Sequence, residues 1–379
     1  MKKIFALVFF FCFLISNSFA FSWSGLINNN TNASTTDFET IIVDQSNAVF
    51  LSAAMPLSKG EDVQNMRLTG EVMYKYDLLF INHNTVFSSI FDLDLLKFSG
   101  NWSLNTANLN LALGRFTICD STSVVFNQCC DGAYLVYETS KWKAGLYAGY
   151  TGLLNSLNVS MLDKGKYTNS VYQLAAAYVP LSVDFAYLSL LGANVVDLQA
   201  DFFIPVQKNL KSKLYASITL SGPVSSFGSY SFAAITGTKA FDGLMLFTKL
   251  DGMFYISDFG IAGAGVEYAS GKNGALKPFE TFTARTCCNA GGGMQTSGEL
   301  IPKLSFTYVK NQLFASVTEK IVCTVPENSL KLQGSDTSIS LLVNILSDLQ
   351  AGCDIVIYKD FELKEASYYS ATLKASLAF

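Results

Sequence analysis

The sequence has few charged residues and, beyond its first twenty positions, no long uninterrupted apolar run. Asp, Glu, Lys and Arg make up 15% of its 379 residues, whereas typical soluble domains have ~25%. Helical membrane proteins show several apolar runs of ~20 residues, so the sequence excludes that class. Half of the residues are nevertheless hydrophobic. These hydrophobic residues must therefore be spread over many short secondary-structure elements.

Histidine is nearly absent, which limits the chemistry available to the chain. The single histidine, His83, lies between two asparagines, a pattern typical of a hairpin tip. A general base acting on Ser88 or Ser89 would need a third group to orient it, and the sequence offers none. Glycines 291–293 lack the preceding strand and following helix of a phosphate-binding loop. Since no basic cluster points to nucleic acid either, we expect no enzyme activity, cofactor, metal site or nucleic-acid partner.

The first twenty residues have the pattern of a secretory signal peptide. A short basic start at Lys2 and Lys3 precedes an apolar run from Ile4 to Ile15, and small residues precede the end at Ala20. The run is too short to span a membrane as a helix. We therefore predict a cleaved signal at 1–20 and one domain at 21–379. The mature chain has 24 basic and 30 acidic residues, a formal charge of −6.

A period of two dominates the mature sequence, most clearly from Arg67 to Phe80. All the charged residues of this segment lie at odd positions, and the even positions are apolar, tyrosine or glycine. Side chains alternate between the two faces of a strand, so one face of this strand is polar and the other is apolar. The charged row consists of Arg67, Glu71, Lys75 and Asp77.

The same alternation recurs in other segments. Phe87, Phe91, Leu93 and Leu95 oppose Ser88, Asp92 and Asp94. Comparable rows occupy residues 197–204, 213–220 and 303–308. Candidate strands, including weaker ones near 170–179 and 277–285, lead us to predict an all-β, antiparallel up-and-down transmembrane barrel of about 18 strands, within roughly 16 to 20. Short turns, one at Val179–Ser182, alternate with longer polar links at Asn28–Val43, Thr117–Cys130, Gly152–Asn169, Thr286–Gly298 and Cys323–Thr337.

The C-terminal residues complete the pattern. Tyr369, Leu373, Leu377 and Phe379 share one face of a last strand that ends on an aromatic residue. Together with the signal peptide and the alternating strands, this strand resembles those of bacterial outer-membrane β-barrel proteins. The segment Gly114-Arg115-Phe116, a loop and then Asp131-Gly132-Ala133-Tyr134 resembles a strand–loop–strand unit of porin-like channels. The resemblance implies outer-membrane localisation, lipid and barrel-assembly machinery as partners, and a pore.

The leading functional hypothesis is a porin that passes small hydrophilic solutes by passive diffusion. A barrel of 16 or more strands leaves an aqueous channel, which we expect Arg67, Glu71, Lys75, Asp77, Asp92 and Asp94 to line. The link Thr117–Cys130 contains the apolar residues Val124, Val125 and Phe126. These side chains would pack against the barrel wall rather than extend into water, so the link is a candidate for a channel constriction that folds into the lumen. The alternatives are a transporter of hydrophobic substrates of the fatty-acid type and a structural or adhesive barrel that binds through its loops.

The mature chain contains seven cysteines, of which six lie on the predicted extracellular links. Because the cell envelope is oxidising, we predict that disulfides join some of these loops, although free thiols remain the alternative. Six cysteines allow 15 pairings, and the sequence does not choose among them. Cys353 lies apart from the set, near the periplasmic side. The six are Cys119, Cys129, Cys130, Cys287, Cys288 and Cys323.

Overall fold

The chain folds into a single closed barrel. The computed structural model describes residues 21–57, 66–81, 84–151, 178–190, 193–271, 276–282, 297–325, 329–363 and 366–379, which form one sheet of 18 strands. No helix in these ranges is long and apolar enough to cross a membrane. The fold class and the strand number predicted from the sequence are therefore confirmed.

The strands follow one another around the barrel in chain order. The first nine are β1 Ser22–Thr35, β2 Ile42–Pro56, β3 Arg67–Ile81, β4 Asn84–Ser103, β5 Ala107–Cys119, β6 Asn127–Thr139, β7 Trp142–Tyr150, β8 Tyr178–Leu190 and β9 Asn194–Pro205. The other nine are β10 Lys213–Ser225, β11 Gly228–Lys239, β12 Met245–Ser257, β13 Gly260–Ala269, β14 Glu299–Lys310, β15 Leu313–Thr324, β16 Lys331–Asn344, β17 Leu349–Asp360 and β18 Tyr368–Ala378.

Every strand pairs with its neighbours in antiparallel fashion, and the two terminal strands close the sheet. β1 pairs with β18 from Leu26 opposite Ala378 to Thr35 opposite Tyr369. Closure matters because an open edge would expose unpaired backbone groups, which hydrocarbon cannot satisfy. We call the end that carries both Ser22 and Ala378 the lower rim, and the opposite end the upper rim.

Several strand boundaries differ from the prediction. Residues 277–282 are not a strand, and the predicted strand at 170–179 lies outside the described residues except for its last two, which begin β8. The predicted turn at Val179–Ser182 is wrong, because these residues lie within β8. The links at Asn28–Val43 and Cys323–Thr337 are shorter than predicted. Their polar ends belong to the strands, because β1 continues to Thr35, β2 begins at Ile42, β15 continues to Thr324 and β16 begins at Lys331.

The two faces of the sheet follow from the register. Outward positions carry exposed aliphatic side chains such as Leu304, 66% exposed, and Leu373, 60% exposed. The assignment of Leu95 to this face is wrong. Glu71 pairs with Leu95 while Val72 pairs with Leu93, so Asp94 is the extra residue of a β-bulge. A bulge reverses the alternation beyond it, and Leu95 accordingly packs against the apolar cluster inside the barrel.

Candidate channel constriction

The upper ends of β5 and β6 leave the barrel wall. β4 and β5 stop pairing at Leu96 opposite Arg115, whereas β5 and β6 remain paired up to Cys119 opposite Asn127. The strands and the loop between them, residues 115–131, therefore form a hairpin that separates from β4. We call this segment the inner hairpin, because its loop packs against the inner wall.

Two glycines lie where the hairpin bends. Gly114 has φ = +112°, a region that other residues rarely adopt. A Cβ atom there would lie 2.2 Å from the carbonyl oxygen of Leu96. Gly132, its cross-strand partner, would place a Cβ atom 2.5 Å from the carbonyl oxygen of Ala148. These are the glycines of the sequence unit that resembles porin-like channels, and they let the hairpin bend close to neighbouring backbone.

The buried carboxylate of Asp120 holds the loop of the inner hairpin in a tight turn. One carboxylate oxygen accepts hydrogen bonds from the backbone N–H groups of Val125, at 3.0 Å, and Phe126, at 2.6 Å. The other accepts from the N–H of Thr122 at 3.0 Å. Bonds from N–H groups to a charged acceptor are stronger than neutral ones, so one side chain orders the loop.

The apolar tip of the loop is buried against the inner wall at β9. Val125 and Phe126 are each 1% exposed. The ring of Phe126 lies 5.2 Å from that of Phe203 on β9 and 5.6 Å from that of Phe282. Since Phe203 opposes the outward residues of β9, the loop lies inside the barrel. The prediction that this link folds inward is confirmed.

A second segment, residues 276–282 from the link between β13 and β14, joins the inner hairpin. The N–H of Phe282 donates to the carbonyl oxygen of Val125 at 2.9 Å, and its ring stacks on Phe203 at 3.8 Å. The hydroxyl of Tyr215 donates to the backbone oxygen of Glu280 at 2.7 Å. The sequence predicted a strand at 277–285, whereas these tertiary contacts hold the segment inside the lumen.

Ion pairs also hold the second segment to the wall. The Glu280 carboxylate lies 2.9 Å from Nζ of Lys239 and 3.6 Å from Nζ of Lys213. Partial burial acts to raise the pKa of Glu280, but the hydrogen bond and charge of Lys239 and the charge of Lys213 outweigh it and lower the pKa. The carboxylate is therefore charged at neutral pH and stabilises the inward position.

The predicted pore residues lie on two adjacent strands, β3 and β4. Arg67, Glu71, Lys75 and Asp77 share the inward face of β3, where Lys75 and Asp77 form an ion pair of 3.1 Å. Asp92 faces inward opposite Met73. Asp94 lies at the bulge behind the inner hairpin, where its carbonyl oxygen accepts the S–H of Cys129 at 3.2 Å. The set is thus brought to one side of the lumen.

Sequence reasoning missed a second group of charges on the opposite side of the lumen. Nζ of Lys303 lies 2.8 Å from Asp251 and 3.1 Å from Glu267. Lys249 lies 3.2 Å from Asp251. All four residues occupy inward positions of β12, β13 and β14. The alternation of Lys249, Asp251 and Glu267 with apolar neighbours was available in the sequence, but only the register brings the three strands' charges together.

The described residues enclose cavities along the inner wall. One, of about 500 Å³, adjoins the inner hairpin and β8, where Asp184 accepts a bond from the hydroxyl of Tyr134 at 3.1 Å. The other, of about 440 Å³, includes Asp251 and Lys303. Both contain acidic and basic side chains, so charged and polar groups line the space that the inner hairpin leaves open. The charged residues of the first are Lys97, Asp120, Lys143, Asp184 and Asp197.

The remaining sequence candidates are placed as follows. Cys119, Cys130, Cys323 and Cys353 are free thiols, and Cys129 and Cys130 lie in β6 rather than in a surface link. Cys287, Cys288, His83 and residues 1–20 lie outside the described residues. The disulfides that would involve Cys287 or Cys288, the hairpin tip at His83 and the signal peptide therefore remain predictions. In the ranges that the structure describes, no cluster of His, Cys, Asp and Glu has the arrangement of a metal site.

No protein-family model and no curated protein sequence matches this chain, but solved structures resemble it. OpdQ of Pseudomonas aeruginosa is 10% identical, with a TM-score of 0.62 over 95% of this chain and 98% of its own. OccK5 (OpdH) of the same organism is 12% identical, with a TM-score of 0.61 over 95% and 98%. OccAB4 of Acinetobacter baumannii is 10% identical, with a TM-score of 0.59 over 96% and 99%. This chain therefore has the barrel fold of these structures.

Proposed function

We propose that this protein is a passive channel, not an enzyme, through which small hydrophilic solutes cross the bacterial outer membrane. The observation that carries the proposal is the inner hairpin, which narrows a lumen whose walls bear charges of both signs. Apolar residues of the hairpin tip pack against the wall at Phe203, while Asp184, Asp251 and Lys303 remain beside open space. A polar path suits hydrated solutes better than hydrophobic ones.

The charged residues support a water-filled interior. Isolated charges in a dry, apolar medium are very costly, and the inward faces of β3 and of β12 to β14 carry many of them. We propose that Arg67, Glu71, Lys75 and Asp77, with Asp92 and Asp94 beside them, line the conducting path. Water in the lumen solvates these groups, and their fields act on passing ions.

Conductance of the refolded protein in a planar bilayer tests the proposal. We expect discrete channel openings, and we expect Glu71→Lys to shift the reversal potential in a salt gradient toward anion preference. Asp77→Lys should act in the same direction. The matched control is Glu39→Lys, which makes the same charge change in the exposed turn between β1 and β2 and should leave selectivity nearly unchanged. A correctly folded barrel without conductance would contradict the proposal.

We also propose that the barrel-assembly machinery reads the last strand through Tyr369, Leu373, Leu377 and Phe379. The terminal Phe379 exchanges backbone hydrogen bonds with Gly25, at 2.8 and 3.0 Å, so the same residue completes the closure of the barrel. Deletion of Phe379 should lower the amount of protein in the outer membrane, while protein refolded in detergent still forms the barrel. Normal outer-membrane levels of the deletion variant would argue against this role.

A further inference from the structure

Three asparagine side chains face the lumen from β1. Asn28, Asn30 and Asn32 occupy alternate positions of this strand, so they share one of its faces. The intervening Thr31 lies opposite Leu373 of β18, which is 60% exposed on the outer face of the barrel. The three asparagines therefore lie on the inward face, and we call them the asparagine row.

The wall around the asparagine row carries little net charge. Lys374 lies opposite Asn30, and an ion pair with Asp354 on β17 offsets its charge. Asp44 on β2 lies opposite Asn32 and adds one carboxylate at the upper end of the row. The row thus forms a hydrogen-bonding strip, unlike β3 and β12 to β14, where ion pairs line the lumen. The other inward neighbours of the row are small or carry a hydroxyl group: Thr372, Ser376, Ser46 and Ala48.

Two of the three side-chain amides are available to a solute. Nδ2 of Asn32 donates a hydrogen bond to Oγ1 of Thr372 at 2.7 Å. Among the residues that the structure describes, none forms a hydrogen bond with the side-chain amides of Asn28 and Asn30. Each amide carries an oxygen that accepts hydrogen bonds and an NH₂ group that donates two. The row therefore presents both donors and acceptors to the lumen.

The asparagine row lies across the lumen from the two inward segments. The inner hairpin and the segment 276–282 pack on β9 and β10 through Phe203 and Tyr215. Nine of the eighteen strand steps, half of the circumference, separate β10 from β1. Phe203 lies two residues below the upper end of β9, and Asn32 lies three residues below that of β1. A solute that passes the inner hairpin therefore moves along the asparagine row.

The chemistry and the length of the row indicate the kind of solute that it suits. A hydroxyl group both donates and accepts hydrogen bonds, so it can use both groups of an amide, whereas an ammonium group only donates and a carboxylate only accepts. At ~3.4 Å per residue, the row from Asn28 to Asn32 is ~14 Å long. This length exceeds one sugar ring, so an extended molecule with several hydroxyl groups can contact all three asparagines.

We propose that the asparagine row is a binding site for neutral, hydroxyl-rich solutes, and that linear oligosaccharides are the class that fits it. The inference rests on the channel proposed above and names its solute. Asn28 and Asn30 exchange hydrogen bonds with successive sugar hydroxyls, and Asp44 accepts a further one beside Asn32. Several weak contacts in sequence favour entry without preventing release, so the solute moves along the row from one amide to the next.

The test measures how maltotriose, an uncharged linear trisaccharide, interrupts the ion current of the full mature chain in a planar bilayer. Each variant is compared with its own current in salt alone, so only folded channels are counted. We expect concentration-dependent interruptions for the native protein. The apparent dissociation constant should rise about fivefold for Asn30→Ala, as for the loss of one hydrogen bond, and further for the double variant Asn28→Ala with Asn30→Ala. Asn30→Gln, which keeps the amide, should restore part of the binding.

The matched control is Asn110→Ala, four strand steps away on β5, which should bind maltotriose like the native protein. Asn110 also faces inward, because Ala112, two positions further on, packs against the apolar cluster inside the barrel.

A second solute tests the chemical class. Triglycine is also extended but carries two charges and no hydroxyl group, so it should interrupt the native current less than maltotriose does. Equal interruption by triglycine overturns the proposal, and so does a double variant that binds maltotriose like the native protein. Channel openings in salt that maltotriose does not interrupt overturn this inference alone, whereas a folded barrel without openings overturns the channel proposal as well.

Discussion

Two hairpins of this barrel have similar alternating sequences but different positions. β2 and β3 pair along their whole length and remain in the wall, from Ile42 opposite Ile81 to Pro56 opposite Arg67. The lower parts of β5 and β6 lie in the wall, and their upper parts bend into the lumen at Gly114 and Gly132. The comparison shows that alternation of polar and apolar residues determines which face of a strand meets lipid. Glycines at the bend and an apolar loop tip determine whether the hairpin stays in the wall.

The largest expected effect is at the bend. Gly114→Ala places a Cβ atom 2.2 Å from backbone oxygen at a positive φ, so we expect a loss of at least about 4 kcal/mol in the free energy of unfolding, or failure to fold. Gly252→Ala is the control in the wall, where the nearest atom would be 3.4 Å away. The folded fraction, read from heat-modifiable gel mobility, should fall only for Gly114→Ala. Equal folding of both would show that the bend does not need glycine.

The next effect concerns the tip of the inner hairpin. Phe126→Ala removes a buried ring that contacts Phe203 and Phe282, at a cost of about 3–5 kcal/mol. We expect the hairpin to detach from the wall, with higher and noisier single-channel conductance. Phe306→Ala, on the outward face of β14, serves as control and should leave conductance as it is. Unchanged conductance in Phe126→Ala would mean that the hairpin does not restrict the path.

A pair of substitutions on β3 tests the face assignment in the regular wall. Val72→Arg places a cation in the lipid at mid-strand, at a cost of about 2–4 kcal/mol. Met73→Arg places it in the lumen, where water solvates it. Urea titration of the refolded barrels in lipid should therefore show a lower midpoint for Val72→Arg. If the two variants unfold at the same urea concentration, the assignment of faces on β3 is wrong.

The smallest effect should come from the ion pairs that hold the second inward segment. The lowered pKa of Glu280 means that the charged carboxylate contributes stability above its ordinary pKa. That contribution is lost as the pH falls through the lowered value. Because Glu280 is nearly half exposed, we expect less than about 1 kcal/mol. Conductance noise should increase on acidification to about pH 3, and Glu280→Gln, already uncharged, should show a smaller change between neutral and acidic pH.

Local sequence was sufficient where a single strand decides the outcome. The charged face of β3 and the apolar face of β18 were predicted correctly, because side chains alternate along a strand whatever its pairing with neighbouring strands. The inward fold of Val125 and Phe126 was also predictable, since their loop is apolar where a surface loop would be polar. The same reasoning failed at Leu95, because one bulged residue at Asp94 reverses the alternation, and only the pairing with β3 reveals it.

By itself, the sequence determined the fold class, a strand number of about 18 within 16 to 20, and most of the residues that face lipid, because these follow from a period of two repeated along the chain. Tertiary structure alone decided which residues meet across the lumen. Phe282 lies 157 positions after Val125 in the sequence yet donates a hydrogen bond to it, and Lys303 reaches Asp251 and Glu267 on two preceding strands. Such contacts depend on the register of neighbouring strands and on barrel closure, which no local pattern encodes.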